Sequence, residues 1–486
     1  MKGTYDLVVR GGEVIDGSGA GRFAADVGVR DGLIAALGDL GEAGTGREID
    51  ASGRIVAPGF IDVHTHDDGV LLSRPGMAPK TSQGVTTVIA GNCGVSLAPL
   101  ALAGRLPPPL DLVADESLYR FADFGGYLDA LDAAPPAVNA AFLVGHSTLR
   151  VGALDALDRP ATETEIAVMR ERLEDALDVG ALGLSTGLFY KPARAAPTGE
   201  VIALAQALAP VGGVYTTHMR DESDHVTEAL EEAFAIGRAA GVKVVISHHK
   251  VQGVRNFGRT RETLALIERA RERQKVALDV YPYTASSTVL SPESAALAAR
   301  TIVTWSKAMP GMAGRDLDEI ADALGVGKDA AIERLQPAGA VYFSMDENDV
   351  RRVLGFAGAM VGSDGLPNDE HPHPRLWGAF PRVLGRYSRE LGLFDLEQAV
   401  HRMTGLPAAE FELAGRGRIE VGATADLVVF DADRIIDRAS FEAPTEPAAG
   451  IDVVLVNGEA VWCDGRPTGA RPGRVLRRQA LQRAAT

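Results

Sequence analysis

Cysteine is nearly absent from this chain. Among 486 residues there are only Cys93 and Cys463, far apart. That excludes a disulfide framework and points to a reducing compartment, so the expected location is the cytoplasm. No run of about 18 apolar residues is present to span a bilayer. The leading stretch MKGTYDLVVRGGEVIDG lacks the apolar core of a signal peptide. Positive charge is in deficit, with a formal net charge of −16, which argues against nucleic acid or an anionic membrane as partner. Hydrophobic residues at 46% and charged residues at 23% are ordinary for a globular protein. The length exceeds what one small core needs and implies a large barrel or two to three domains.

The two ends of the chain look alike. YDLVVRGGEVIDG, ADVGVRDGLIAAL and REIDASGRIVAP alternate apolar and polar residues around Gly and Asp, and so do ADLVVFDAD (425–433) and IDVVLVNGEAVWCDG (451–465). The economical expectation is one small β-domain built from both ends, residues 1–57 plus 417–486, around a central unit, residues 58–416. That unit repeats a strand–loop–helix rhythm. Its strand candidates are 54–64, 85–93, 139–146, 180–186, 212–218, 242–248, 275–283 and 358–364. Helical periodicity is clearest at 162–180, 221–241 and 262–274. Eight strands with intervening helices suggest a closed α/β barrel of the (β/α)8 type, with its active site at the carboxyl ends of the strands. Two connections exceed a bare barrel. Residues 94–138 read as a lid or side loop, and 285–345 as an insertion with its own structure or role.

The stretch FIDVHTHDDG (60–69) sets His64 and His66 one residue apart. They read either as polar residues at a strand end or, both pointing to one side of a strand, as two ligands of one metal ion. By the same parity Phe60 and Asp62 share that side, and Ile61 and Val63 face the crossover helices. The rest of the chain bears on the choice. Cys93, His146, His218, His248 and Asp364 also fall at strand-candidate ends, so five of the ten histidines, one of the two cysteines and an aspartate share one rim. All are good ligands for a borderline metal such as Zn²⁺. His249 and His225 read as structural and solvated, respectively. His371 and His373, in NDEHPHPR, read as ordering the segment that carries Arg375. His146 suggests a supporting or substrate-side role.

GFIDVHTHDD, QGVTTVIAGNCGVSLAP, GALGLSTGLFY, THMRDE, SHHK, DVYPYTASST, VGSDGLP and HPRLWGAFPRVLGRY together resemble the N-acyl-D-amino-acid deacylase (D-aminoacylase) family of the amidohydrolase superfamily. The resemblance runs nearly the whole length. It implies a barrel with a small β-sandwich built from both chain ends. It also implies a tightly held Zn²⁺ on Cys93, His218 and His248, and a second, weaker position at His64, His66 and Asp364. Many amidohydrolases bridge two metals with a carboxylated lysine late in the fourth strand. Here Lys191 lies beyond that strand, and Cys93 is the better bridging candidate. Ser147 stands where the family usually has glycine.

The chemistry follows from these parts. Zn²⁺ lowers the pKa of water toward ~7 and polarises a carbonyl. Asp364 suits the general base that returns its proton to the leaving amine. Arg375 matches the family's arginine for the substrate α-carboxylate, a role guanidinium geometry favours. Lys250 can add a point charge, and Tyr190 and Tyr281 can donate hydrogen bonds. Phe189, Tyr342 and Met345 match positions facing the substrate side chain. Being uncharged, they lean toward apolar D-amino acids. The expected partner is a small molecule, with the protein a monomer or small homo-oligomer. The alternatives are another amidohydrolase reaction, such as cyclic-amide opening, and a non-catalytic scaffold of the same fold.

Overall fold

The computed structural model describes residues 5–41, 44–102 and 104–478. Its centre is eight parallel strands: β1 (Phe60–Asp62), β2 (Val85–Ala90), β3 (Asn139–Gly145), β4 (Gly183–Gly187), β5 (Val214–His218), β6 (Lys243–Ile246), β7 (Val276–Val280) and β8 (Ala359–Val361). They pair in chain order. A parallel bridge between Thr65 and Gly365 joins β8 to β1, and the Asp364 N–H donates to the His64 carbonyl at 2.8 Å, so the sheet closes into a barrel. Each strand overlaps one of the eight runs marked in the sequence. Helices follow where the periodicity put them. Thr162 and Glu165 form a reciprocal capping box that starts the helix Glu163–Asp178. Gly241, at φ 70°, ends the helix Val226–Ala240.

The first run, 54–64, is divided between two sheets. Ile55–Pro58 pairs outside the barrel, and β1 begins after Gly59. A Cβ on Gly59 would lie 2.1 Å from Thr86 Cγ2, so only glycine lets the chain pass from one sheet to the other here. The expected strand parity is also reversed. Ile61 and Val63 cluster with Ile89, Ala141, Leu182, Val214, Val245, Ala277 and Met360, residues contributed by every barrel strand or its margin, so they fill the barrel interior. Phe60 faces outward, stacked on Phe380 at 5.8 Å. The regular strand ends at Asp62, so period-2 reasoning does not carry through to His64 and His66.

Both chain ends join one nine-stranded sheet. Ile55–Pro58 pairs antiparallel with Leu427–Phe430 on one side and parallel with Tyr5–Val14 on the other. Val27 and Ile34 share a core with Val453 and Leu455, so the sheet folds over on itself as a small β-sandwich requires. Residues 285–345 form a three-stranded antiparallel sheet, Ser286–Val289, Thr301–Ser306 and Ala338–Tyr342, backed by the helices Leu317–Leu324 and Lys328–Leu335 over a core of their own. Among the described residues no helix is long and apolar enough to cross a membrane.

Candidate functional site

The carboxyl ends of the barrel strands carry two sets of metal-ligating side chains: His64, His66, Cys93 and Asp364, and Cys93, His218 and His248. Within each set the donor atoms lie within 4.8 Å of one another, all on buried residues. Cys93 belongs to both. Lys191 is exposed in a short helix after β4 and takes no part. The backbone is bent to make this convergence. Cys93, His248 and Asp364 have φ of 52°, 36° and 50°, the left-handed region that non-glycine residues rarely adopt.

The donor set fits a small tetrahedral cation. Zn²⁺ bonds of about 2.0–2.3 Å put neighbouring ligand atoms roughly 3.3–3.8 Å apart. Cys93 Sγ lies 3.2 Å from His64 Nε2 and 3.3 Å from His248 Nε2. Asp364 Oδ1 is 3.2 Å from His66 Nε2 and 3.5 Å from His64 Nε2. Electrostatics agree. Burial pushes the Cys93 thiol up, but His64 and His248 overcome it and hold it well below its usual range, as a thiolate. Burial opposes charge on His66 and His248. Asp364 and Cys93 around the first, and Glu222 and Cys93 around the second, push both up to about 9. The Asp364 carboxyl is likewise raised by burial, yet held well below the carboxylate range by Arg375, His248 and His64.

Above the donors opens a cleft of about 850 Å³ including its mouth, lined in part by His66, Cys93, His218, His248 and Asp364. The apolar wall comes from Val95, Leu112 and Val113 of the 94–138 segment, from Phe189, and from Leu297 and Tyr342 of the insertion. Both long connections therefore shape the cleft. Lys250 lines it beside Asp221, Glu222, Glu293 and Asp364. Tyr190 also lines it, its hydroxyl 3.0 Å from Thr288 Oγ1.

Three expected substrate-facing residues do not line this cleft. Arg375 is fully buried behind Asp364, with Nη1 2.7 Å from Oδ2, Nη2 donating to the Ser287 carbonyl at 3.1 Å, and Nε without an acceptor. Tyr281 lies beneath it, the guanidinium 4.5 Å from the ring centre. Tyr281 and Met345 line a separate, smaller cavity behind His248. Lys250 is already paired, 2.6 Å from Glu222 and 3.0 Å from His248 Nδ1. His146 is not at the site. It is buried 3.0 Å from Glu200, which Arg150 also holds, and the trio ties the helix His146–Ala153 to Thr198–Ala205. His249 bonds Thr263, His225 is solvent-exposed, and His373 accepts the Arg375 N–H at 2.9 Å.

Sequence reasoning missed the buried carboxylates around the donors. Glu222 lies 3.1 Å from His248 Nδ1 and 3.6 Å from His218 Nε2. Asp279, on β7, meets His64. Asp62 and Asp67 meet the fully buried Lys80. A carboxylate inside an apolar run, as in KVALDVYPY, is the signal that could have found Asp279.

A family model described as "Amidohydrolase family" matches residues 47–302 and 210–467. The chain is 58% identical to a D-aminoacylase of Alcaligenes xylosoxydans xylosoxydans, covering 98% of both chains. It is 52% identical to the N-acyl-D-aspartate deacylase of that organism, over 97% of this chain and 95% of the relative. Among solved structures, a D-aminoacylase described with a binuclear metal centre superposes at a TM-score of 0.95 and 57% identity, covering 98% of this chain and all of the other. An N-acyl-D-glutamate deacylase from Bordetella bronchiseptica, complexed with zinc and a phosphonate mimic of the tetrahedral intermediate, gives 0.95 at 50% identity with the same coverage.

Proposed function

Because the chain belongs to the amidohydrolase family, in its N-acyl-D-amino-acid deacylase branch, we propose that it hydrolyses N-acyl-D-amino acids to a carboxylate and a free D-amino acid. The observation that carries this is the convergence of Cys93, His218, His248 and Asp364 at the floor of a cleft with one apolar wall. In this reading Cys93, His218 and His248 hold one zinc ion tightly, and His64, His66 and Asp364 with Cys93 hold a second more weakly. Bound there, zinc acidifies water and polarises the scissile carbonyl.

The chain's own groups do the rest. Asp364, kept ionised by Arg375, takes the proton of the attacking water and delivers it to the leaving nitrogen. Tyr190, whose hydroxyl burial pushes well above its usual value, stays a neutral donor toward the carbonyl side. Lys250 and Arg375 supply positive potential for the α-carboxylate, with Tyr281 as the platform beneath both cations. Phe189 and Tyr342 form the side-chain wall, and Met345 supports it only from the separate cavity behind His248. Phe189 and Tyr342 offer an acidic side chain no cation on that wall, so the preferred substrates carry uncharged, apolar side chains. The work is done in the cytoplasm, on a small molecule.

The test is hydrolysis of N-acetyl-D-methionine against its L-isomer, N-acetyl-D-aspartate and a hydantoin. Release of D-methionine, abolished in Asp364→Asn, is the expected result. Hydantoin opening without deacylation would sink the proposal.

A further inference from the structure

We infer that Asp279 is a positioning residue serving both ligand sets at once, locking the His64 imidazole with one part of its carboxylate and the His248 backbone with another. This rests on the metal-centre reading above. Asp279 lies in the middle of β7 and is buried. Its Oδ1 and Oδ2 stand 3.3 and 3.4 Å from His64 Nδ1. Oδ1 also accepts the His248 N–H at 2.8 Å. The fit is close. Gly362 lies against the pair, and a Cβ there would come within 2.5 Å of His64 Cβ and 3.2 Å of Asp279 Oδ1.

Two consequences follow from that geometry. A carboxylate only accepts hydrogen bonds, so the proton sits on His64 Nδ1. That leaves the Nε2 lone pair for the metal, on the side where Nε2 faces Cys93 and Asp364. The second consequence concerns backbone. His248 is held at φ 36°, where a residue with a side chain stays only if its surroundings compel it. The bond from its N–H to Asp279 is one such constraint. It joins β7 to the end of β6 at the residue that bears the ligand.

Asp279→Asn separates the two roles. The amide oxygen keeps the His248 N–H, which demands an acceptor. The NH2 group is thereby turned to His64 Nδ1, which must become an acceptor, and the ring proton moves to Nε2, closing it to metal. Asp279→Ala removes both contacts. The test is titration of the metal-free protein with Co²⁺ against a competing chelator dye, following the thiolate-to-cobalt band from Cys93. In Asp279→Asn the first equivalent is expected to bind as in wild type, and the second about 10–100-fold more weakly. In Asp279→Ala both weaken. Near-ultraviolet circular dichroism checks folding. In the His64→Gln background Asp279→Asn is expected to add no further loss at the second equivalent; should a variant unfold, ¹⁵N NMR of the wild-type zinc-loaded protein decides, with the His64 proton expected on Nδ1 and a proton on Nε2 overturning the inference. Wild-type affinity in Asp279→Asn at every equivalent, or a further loss in the His64→Gln background, overturns the inference. A wild-type protein that binds no Co²⁺ sinks the metal-centre reading instead.

Discussion

Replacing Lys80 with methionine is expected to destabilise the protein by about 3–5 kcal/mol, the cost of breaking a buried ion pair from one side. Lys80 is fully buried, its Nζ 2.8 Å from Asp62 Oδ2, 2.8 Å from Ser363 Oγ and 3.3 Å from Asp67 Oδ2. Summing three charge-assisted bonds at ~1.5–3 kcal/mol each would overshoot, because the ammonium also loses its hydration on burial. The cost arises instead from what stays behind, two carboxylates in the interior with no cation. Against a total stability of roughly 5–15 kcal/mol, the loss is large. It also falls where function is sensitive. Asp62 Oδ1 accepts the Ser363 N–H at 2.8 Å and the His64 N–H at 3.3 Å, so the network fixes the start of the HxH segment against the residue preceding Asp364. Urea unfolding of metal-free Lys80→Met and of Lys80→Met/Asp67→Asn provides the assay. Metal must be stripped, because a bound ligand adds its own stabilisation. The double variant is expected to regain about 1 kcal/mol or more, since one stranded charge is gone. A single variant within about 1 kcal/mol of wild type, or a double variant no better than the single, would refute the argument that charge rather than the lysine stem holds this region.

Removing metal with a chelator is expected to expose Cys93 to iodoacetamide, because the free thiol is held as a thiolate in a wall of the cleft. Mass spectrometry would read alkylation at Cys93 in the stripped protein and protection when zinc is restored, while Cys463, whose pKa is raised, reacts slowly in both. Arg375→Met should move the acid limb of the kcat/KM profile to higher pH by about one unit or more, since an adjacent guanidinium typically lowers a carboxylate pKa by ~1–3 units. The sign follows from Asp364. It must be ionised to act as base, its pKa is depressed with Arg375 present, and losing the cation lets it climb. An unshifted limb would separate Arg375 from the protonation of Asp364.

Much of the architecture was legible because it is written locally. Period-2 alternation, helix periodicity and Gly punctuation are short-range signals, and they located all eight barrel strands and the small sheet fed from both ends. The clustered His, Cys and Asp side chains were legible for the same reason: each sits at or just past a strand end, where a barrel builds its site. The division at Gly59 was not. Ile55–Pro58 and β1 read as one apolar run, and only the Thr86 side chain against Gly59 separates them. The interior face of β1 was misassigned because alternation gives two faces without saying which is in.

By itself, then, the sequence determined the strand count, the chemical identity of the donors and the family, since these depend on residue type and near-neighbour spacing. Only the tertiary structure decided how the donors are held. Asp279 is 215 positions from His64, and Lys80 is 283 from Ser363. Likewise, whether Arg375 meets solvent or backs Asp364 depends on packing between segments distant in the chain. Such pairings have no local period to betray them. They exist because burying a charge requires a partner, and closing the barrel determines which partner is within reach.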